Sequence, residues 1–151
     1  MKKNKFGKQG WTPERIGDLS GKTYIITGTT SGTGFEAARI LLSKGAKVVM
    51  LNRNLKKSKD TINTLKQELG SKIDVLNIRM ELAEQASVRK AAAEVLEKVS
   101  RIDALICSLF TGHIQAQDTN KDSLSTKAHL EFMCDIKISV LATLRDGYYS
   151  Y

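Results

Sequence analysis

The stretch TGTTSGTG, residues Thr27 to Gly34, is a glycine-rich turn between two segments of contrasting pattern. The apolar run from Tyr24 to Ile26 before it is typical of a buried strand. From Phe35 to Leu42 after it, apolar residues recur at helical spacing. A turn of this kind seats a phosphate group in many α/β folds, because the first N–H groups of the helix point at the anion.

Strand and helix patterns continue to alternate beyond this turn. The first two helical segments end at Gly45 and Gly70, which are typical helix terminators. The βαβαβαβ order with short connections predicts a Rossmann-like, doubly wound α/β fold. Its parallel sheet has the expected order 3-2-1-4 and is truncated after about four strands. We predict strands over 23–27, 47–51, 73–80 and 104–107, and helices over 32–44, 55–69 and 84–99.

The amino-acid composition limits the kinds of ligand and macromolecular partner that the chain is expected to bind. The 151 residues include 24 Lys and Arg against 16 Asp and Glu, a net charge of +8. This balance suits an anionic ligand or nucleic acid, but no nucleic-acid-binding motif is present, so we rank nucleic acid last. No segment is apolar enough to span a bilayer, and no membrane partner is expected. Cys107 and Cys134 fit neither a disulfide framework nor a metal motif, and we expect a cytoplasmic setting.

The spacing G-x-x-x-G-x-G after Thr27 resembles the fingerprint of the short-chain dehydrogenase/reductase family, especially its retinol-dehydrogenase-like branch. The resemblance covers residues 18–106, including the lead-in from Asp18 to Lys22 and the segment from Ile102 to Leu105, and is poor after that. It implies a Rossmann-type fold and a nicotinamide dinucleotide as cofactor. It also implies hydride transfer between that cofactor and a carbonyl or alcohol in the complete enzyme.

Each glycine of the turn has its own expected role. Gly28 permits the tight turn, Gly32 lets the backbone approach a phosphate, and Gly34 lets the helix pack on the sheet. The hydroxyls between the first two glycines are expected to donate to phosphate oxygens. The expected cofactor-binding residues are Gly28, Thr29, Thr30, Ser31, Gly32, Thr33, Gly34, Asn52, Arg53, Glu81 and Leu82.

The end of the second strand favours NADP over NAD. An NAD site places a carboxylate there to hold the ribose hydroxyls, whereas this chain has Asn52 followed by Arg53. A guanidinium offers a fork of donors to the 2′-phosphate of NADP, and Lys56 and Lys57 add positive charge nearby. The alternative is that Arg53 is a solvated turn residue. By the resemblance, Glu81 replaces the family's aspartate near the adenine.

Two motifs of the family are missing. The family ends strand four with Asn-Asn-Ala-Gly, whereas residues 107–110 read Cys-Ser-Leu-Phe. We expect Leu109 and Phe110 to crowd the adenosine ribose. The catalytic pair Tyr-x-x-x-Lys has no match in the 151 residues. We therefore assign no catalytic residue and no metal ligand, and we expect a truncated chain.

Three segments follow from these patterns. Residues 1–20 are expected to form a basic N-terminal tail, 21–110 the dinucleotide-binding half, and 111–151 a divergent tail with a loop and a helix. The expected function is the NADP(H)-binding part of a short-chain oxidoreductase that is inactive as written. A non-catalytic nucleotide-binding or regulatory module, or a decayed gene product, remains the alternative. A protein partner that covers the apolar edge at strand four is also kept open.

Overall fold

Four parallel strands form one sheet in the computed structural model, which describes residues 10–82 and 84–108. The strand order β3-β2-β1-β4 confirms the expected topology. All pairings are parallel, so the carboxyl ends of the strands lie at one edge of the sheet. The strands are β1 (Thr23–Thr27), β2 (Lys47–Asn52), β3 (Val75–Arg79) and β4 (Ala104–Cys107).

Three helices connect the strands and cover both faces of the sheet. Their bounds lie within one residue of the predicted ones at each end. A short 3₁₀ helix, Pro13–Arg15, precedes the sheet. The α-helices are α1 (Gly32–Ser43), α2 (Leu55–Leu69) and α3 (Gln85–Lys98).

The core has two halves, one on each face of the sheet. Val48 and Met50 of β2 pack with α1 and α2, whereas Val49 and Leu51 pack with α3. All four side chains are fully buried. Burial of a side chain of this size contributes about 1.5–3 kcal/mol. The continuous apolar run of β2 is therefore explained by its central position, where both faces are covered.

The largest difference from the predicted elements is at β3, which begins at Val75 rather than at residue 73. Ile73 is partly buried against the α1–α2 half of the core, so its apolar character reflects packing rather than strand geometry. The Asp74 carbonyl nevertheless accepts the N–H of Val48 at 2.9 Å.

At the other end of the described sheet, β4 pairs with β1. Its first three residues are partly buried and Cys107 is exposed. The helix expected near the C-terminus, the loop before it and residues 1–9 of the predicted basic tail lie outside the described residues. The prediction that something covers the β4 edge therefore stays a prediction.

Asp103 joins β4 to β1 at the edge opposite the glycine turn. Its Oδ2 accepts the N–H of Thr23 at 2.9 Å, and its own N–H donates to the Thr23 carbonyl at 2.8 Å. Its Oδ1 accepts from Arg101 at 2.7 Å and lies 3.3 Å from Lys22 Nζ. Burial raises the pKa of this carboxyl, but the Thr23 N–H, Arg101 and Lys22 together outweigh burial and lower it.

We expect Asp103→Ala to lower the free energy of unfolding by about 1–3 kcal/mol at pH 7, because the Thr23 N–H loses its carboxylate partner. Because the pKa of Asp103 is lowered in the folded state, its carboxylate stabilises the fold at pH values above its ordinary pKa of 3.8. This contribution is lost as the pH falls through the folded-state pKa. The difference between wild type and variant should thus shrink below about pH 4. Urea unfolding of both proteins at several pH values measures this difference in the free energy of unfolding.

The matched control is Asp60→Ala, which removes an exposed aspartate from α2. An equal loss of stability in both variants, or a pH-independent difference for Asp103→Ala, would contradict this role of the carboxylate.

Candidate functional site

The glycine turn lies at the carboxyl edge of the sheet, between β1 and α1. Gly28 and Gly32 have φ values of +68° and +59°, in the left-handed region that favours glycine. The N–H of Gly28 donates to the Leu51 carbonyl at 3.2 Å, which ties the turn to the end of β2. The tight turn predicted at Gly28 is confirmed.

Gly34 lets α1 approach the sheet closely. A Cβ at this position would overlap the carbonyl oxygen of Gly28 and the hydroxyl of Ser108. The packing role predicted for Gly34 is therefore confirmed. At Gly32, by contrast, a Cβ would meet nothing within 4 Å, so this part of the turn borders open space.

Thr29 and Asn52 form a buried, mutually hydrogen-bonded pair. The N–H of Thr29 donates to Asn52 Oδ1 at 2.9 Å, and Asn52 Nδ2 donates to Thr29 Oγ1 at 2.8 Å. The two residues are 0% and 4% exposed. Both side chains face each other inside the protein, which disfavours direct contact of either with a ligand. The predictions that the Thr29 hydroxyl donates to a phosphate and that Asn52 contacts the cofactor stay predictions.

The remaining hydroxyls of the turn lie nearer the surface. Thr30 is partly buried, and Ser31 and Thr33 are exposed. Ser31 is the residue before α1, yet its side chain makes no capping hydrogen bond. In α2, by contrast, the Asn54 side chain accepts the N–H of Lys57 at 3.0 Å. The start of α1 therefore keeps N–H groups that no capping side chain satisfies.

Arg53 and Glu81 meet where β2 and β3 end. Arg53 Nε lies 3.6 Å from Glu81 Oε2, and the two side chains are 76% and 20% exposed. The N–H of Glu81 donates to the hydroxyl of Ser87 in the first turn of α3 at 3.0 Å. An ion pair with so exposed a partner contributes at most about 1 kcal/mol. The ion pair with Glu81 is thus weak enough for Arg53 to exchange it for another partner.

A family model described as short chain dehydrogenase matches residues 22–140. The chain belongs to the short-chain dehydrogenase family. A short-chain dehydrogenase/reductase of Armillaria gallica is 39% identical over 98 residues, which cover 65% of this chain and 31% of that protein. The chain thus spans about a third of the length of this relative. The match extends to residue 140, beyond residues 18–106 where the sequence resemblance is strong.

Solved structures of the family share the fold. L-sorbose reductase from Gluconobacter frateurii, solved with NADPH and L-sorbose, superposes with a TM-score of 0.69 at 21% identity, covering 83% of this chain and 49% of that one. The RhlG/NADP active-site complex of Pseudomonas aeruginosa superposes with a TM-score of 0.53 at 30% identity, covering 60% of this chain and 35% of that one.

Two residues near the turn were missed by the reasoning from sequence. Arg79 lies opposite Asn52 in the β2–β3 register and is exposed. Ser108 follows β4, and its hydroxyl donates to the Thr27 carbonyl and lies 3.4 Å from that of Gly28. Finding either requires the strand order and register in addition to the motif itself.

Leu82, the last of the predicted cofactor-binding residues, and the thiol of Cys107 lie in different surroundings. Leu82 is partly buried and packs against the α3 half of the core. Cys107 is exposed, and partial burial of its thiol raises its pKa more than the Thr27 hydroxyl lowers it, so the thiol stays protonated at neutral pH. The predicted crowding by Leu109 and Phe110 concerns residues outside the described ones.

Two further kinds of feature are missing from residues 10–82 and 84–108. They contain no group of three or more His, Cys, Asp or Glu residues that could hold a metal ion. None of their helices has the length and apolar character needed to cross a membrane.

We expect Gly34→Ala to lower the free energy of unfolding by about 1–3 kcal/mol, because the new methyl group overlaps backbone and forces α1 away from β1. Gly17→Ala is the matched control, since a Cβ there meets nothing within 4 Å. Urea unfolding of both variants measures the difference. Equal stability of the two variants would show that α1 accommodates the methyl group.

Proposed function

We propose that residues 21–110 are the NADP(H)-binding half of a short-chain oxidoreductase. The observation that carries the proposal is the start of α1. Its N–H groups have no capping side chain, Gly32 borders open space, and the exposed hydroxyls of Ser31 and Thr33 lie beside them. This arrangement suits a pyrophosphate, because the helix N-terminus favours negative charge and offers unpaired donors.

The charges beside the turn support NADP rather than NAD. The guanidinium of Arg53 is largely exposed at the end of β2, where a 2′-phosphate would lie. Arg79 adds a second cation on the neighbouring strand, and among residues 10–82 and 84–108 it forms no ion pair. Two solved structures of the same fold, L-sorbose reductase and RhlG, were obtained with NADPH and NADP. In our proposal Arg53 exchanges Glu81 for the phosphate, which offers a stronger, charge-assisted hydrogen bond.

The reaction proposed for the complete protein is hydride transfer to or from a carbonyl or alcohol. When bound, the nicotinamide supplies or accepts the hydride. The described residues would hold the adenosine and phosphate part of the cofactor. Protonation of the substrate oxygen requires an acid such as a tyrosine activated by a lysine, and the 151 residues contain no Tyr-x-x-x-Lys.

The absence of a Tyr-x-x-x-Lys pair from the 151 residues also supports a second proposal, a nucleotide-binding module without catalysis. It shares the glycine turn and Arg53 with the first proposal and differs only in turnover. In both proposals the β4 edge is covered by another chain segment or a protein partner, since its residues are only partly buried. The proposed setting is cytoplasmic, which suits the exposed free thiol of Cys107.

We expect Arg53→Gln to weaken NADPH binding about 10- to 100-fold, since a hydrogen bond between charged groups is lost. Binding of NADH should change less than about twofold, because NADH has no 2′-phosphate for Arg53 to contact. Titration followed by the fluorescence of the reduced nicotinamide gives both dissociation constants.

The control for Arg53→Gln is Lys72→Gln, which removes the same charge from an exposed residue before β3, at the opposite edge of the sheet. If both variants weaken NADPH equally, net charge rather than a specific contact explains the effect. If wild type binds neither dinucleotide, the proposed function is wrong.

A polypeptide of these 151 residues should not oxidise NADPH at a measurable rate with aldehydes or ketones, even where it binds NADPH. The physical reason is that no Tyr-x-x-x-Lys pair supplies the proton to the substrate oxygen. Absorbance at the reduced-nicotinamide band, with a panel of carbonyl compounds, measures turnover. Rates typical of an ordinary enzyme would refute the assignment of the missing pair as essential.

A further inference from the structure

We infer that Asn52 is a positioning residue: by binding Thr29 it holds the glycine turn in the shape that receives the phosphates common to NADP and NAD. The inference rests on the proposed function. It gives different roles to two adjacent residues that the sequence groups together. Asn52 would affect the binding of both dinucleotides, whereas Arg53 would affect the binding of NADP alone.

The amide of Asn52 is chemically matched to the polar groups of Thr29. The Thr29 backbone offers a donor and its hydroxyl an acceptor, and the amide of Asn52 matches both at 2.9 and 2.8 Å. An aliphatic side chain would match neither, and a serine could not bridge both at once. Since Thr29 is fully buried, its N–H would have no water to replace the lost acceptor.

The pair lies at the point where the chain leaves β1 and enters the turn. Thr29 directly follows Gly28, whose left-handed φ of +68° redirects the chain as it leaves β1. Three residues later Gly32 begins α1. A side chain fixed to the end of β2 therefore determines the path of the few residues whose N–H groups would face the phosphates.

The burial of Asn52 disfavours direct contact of its amide with the cofactor. Asn52 is 4% exposed, and both polar atoms of its amide already bind Thr29. The amide keeps a second N–H and a second lone pair, but at this low exposure almost no surface is left through which a ribose hydroxyl could reach them. Arg53, the next residue, is instead 76% exposed and free to meet a ligand.

The experiment compares Asn52→Ala with Arg53→Gln in the full chain. Hydrogen–deuterium exchange of residues 28–34 in the absence of ligand measures how well the backbone of the turn is protected. Fluorescence titration measures the dissociation constants of NADPH and NADH. In Asn52→Ala we expect faster exchange and weakening of both dinucleotides by a similar factor of about ten. In Arg53→Gln we expect unchanged exchange of the turn.

Thr29→Val provides a variant of nearly the same shape if Asn52→Ala does not fold. It removes the hydroxyl but keeps the backbone N–H, so exchange should rise less than in Asn52→Ala. Asn52→Asp supplies the rescue, because a carboxylate accepts from both the Thr29 N–H and its hydroxyl. Exchange of the turn in Asn52→Asp should stay close to that of wild type.

Unchanged exchange in both Asn52→Ala and Thr29→Val would overturn the positioning role. A loss of NADPH binding without a loss of NADH binding in Asn52→Ala would overturn it as well, since that result indicates direct contact with the 2′-phosphate. If wild type binds neither dinucleotide, the proposed function fails, and the exchange data still decide whether Asn52 holds the turn.

Discussion

The contact of Gly34 with the Gly28 carbonyl sets the distance between α1 and β1. Because no side chain separates helix from sheet at Gly34, the first turn of α1 lies close to the carboxyl edge, and Ser108 at the end of β4 reaches the same carbonyl. The glycine turn, the last residues of three strands and the helix start are thereby gathered into one place. Arg53 and Glu81 reach this place only because β2 and β3 end beside it.

Much of this arrangement is predictable from sequence. The apolar run of β2 and the helical spacing from Phe35 on indicate their elements directly, because a central strand and an amphipathic helix bury residues at different periods. The βαβ order then determines a parallel sheet. The bounds of β3 were less predictable, since Ile73 is apolar for its packing and not for membership of the strand.

The roles of single site residues were less predictable than the fold. The last residue of a strand can direct its side chain inward or outward, and for Asn52 the choice depends on Thr29, 23 positions earlier in the chain. The pairing of Arg53 with Glu81 likewise depends on neighbouring strands. Residue type and motif position therefore indicated the region of the candidate site. Burial and hydrogen-bond partners, which the structure supplies, distinguish the buried residues that shape the turn from the exposed ones that a ligand can reach.

The inward orientation of Asn52 has a consequence for how such a site changes over evolutionary time. The residues that shape the turn are internal, whereas the exposed guanidinium that would distinguish the two cofactors stands one position further on. On the proposed function, a substitution at position 53 changes the choice of cofactor without touching the buried pair of Thr29 and Asn52 that shapes the turn.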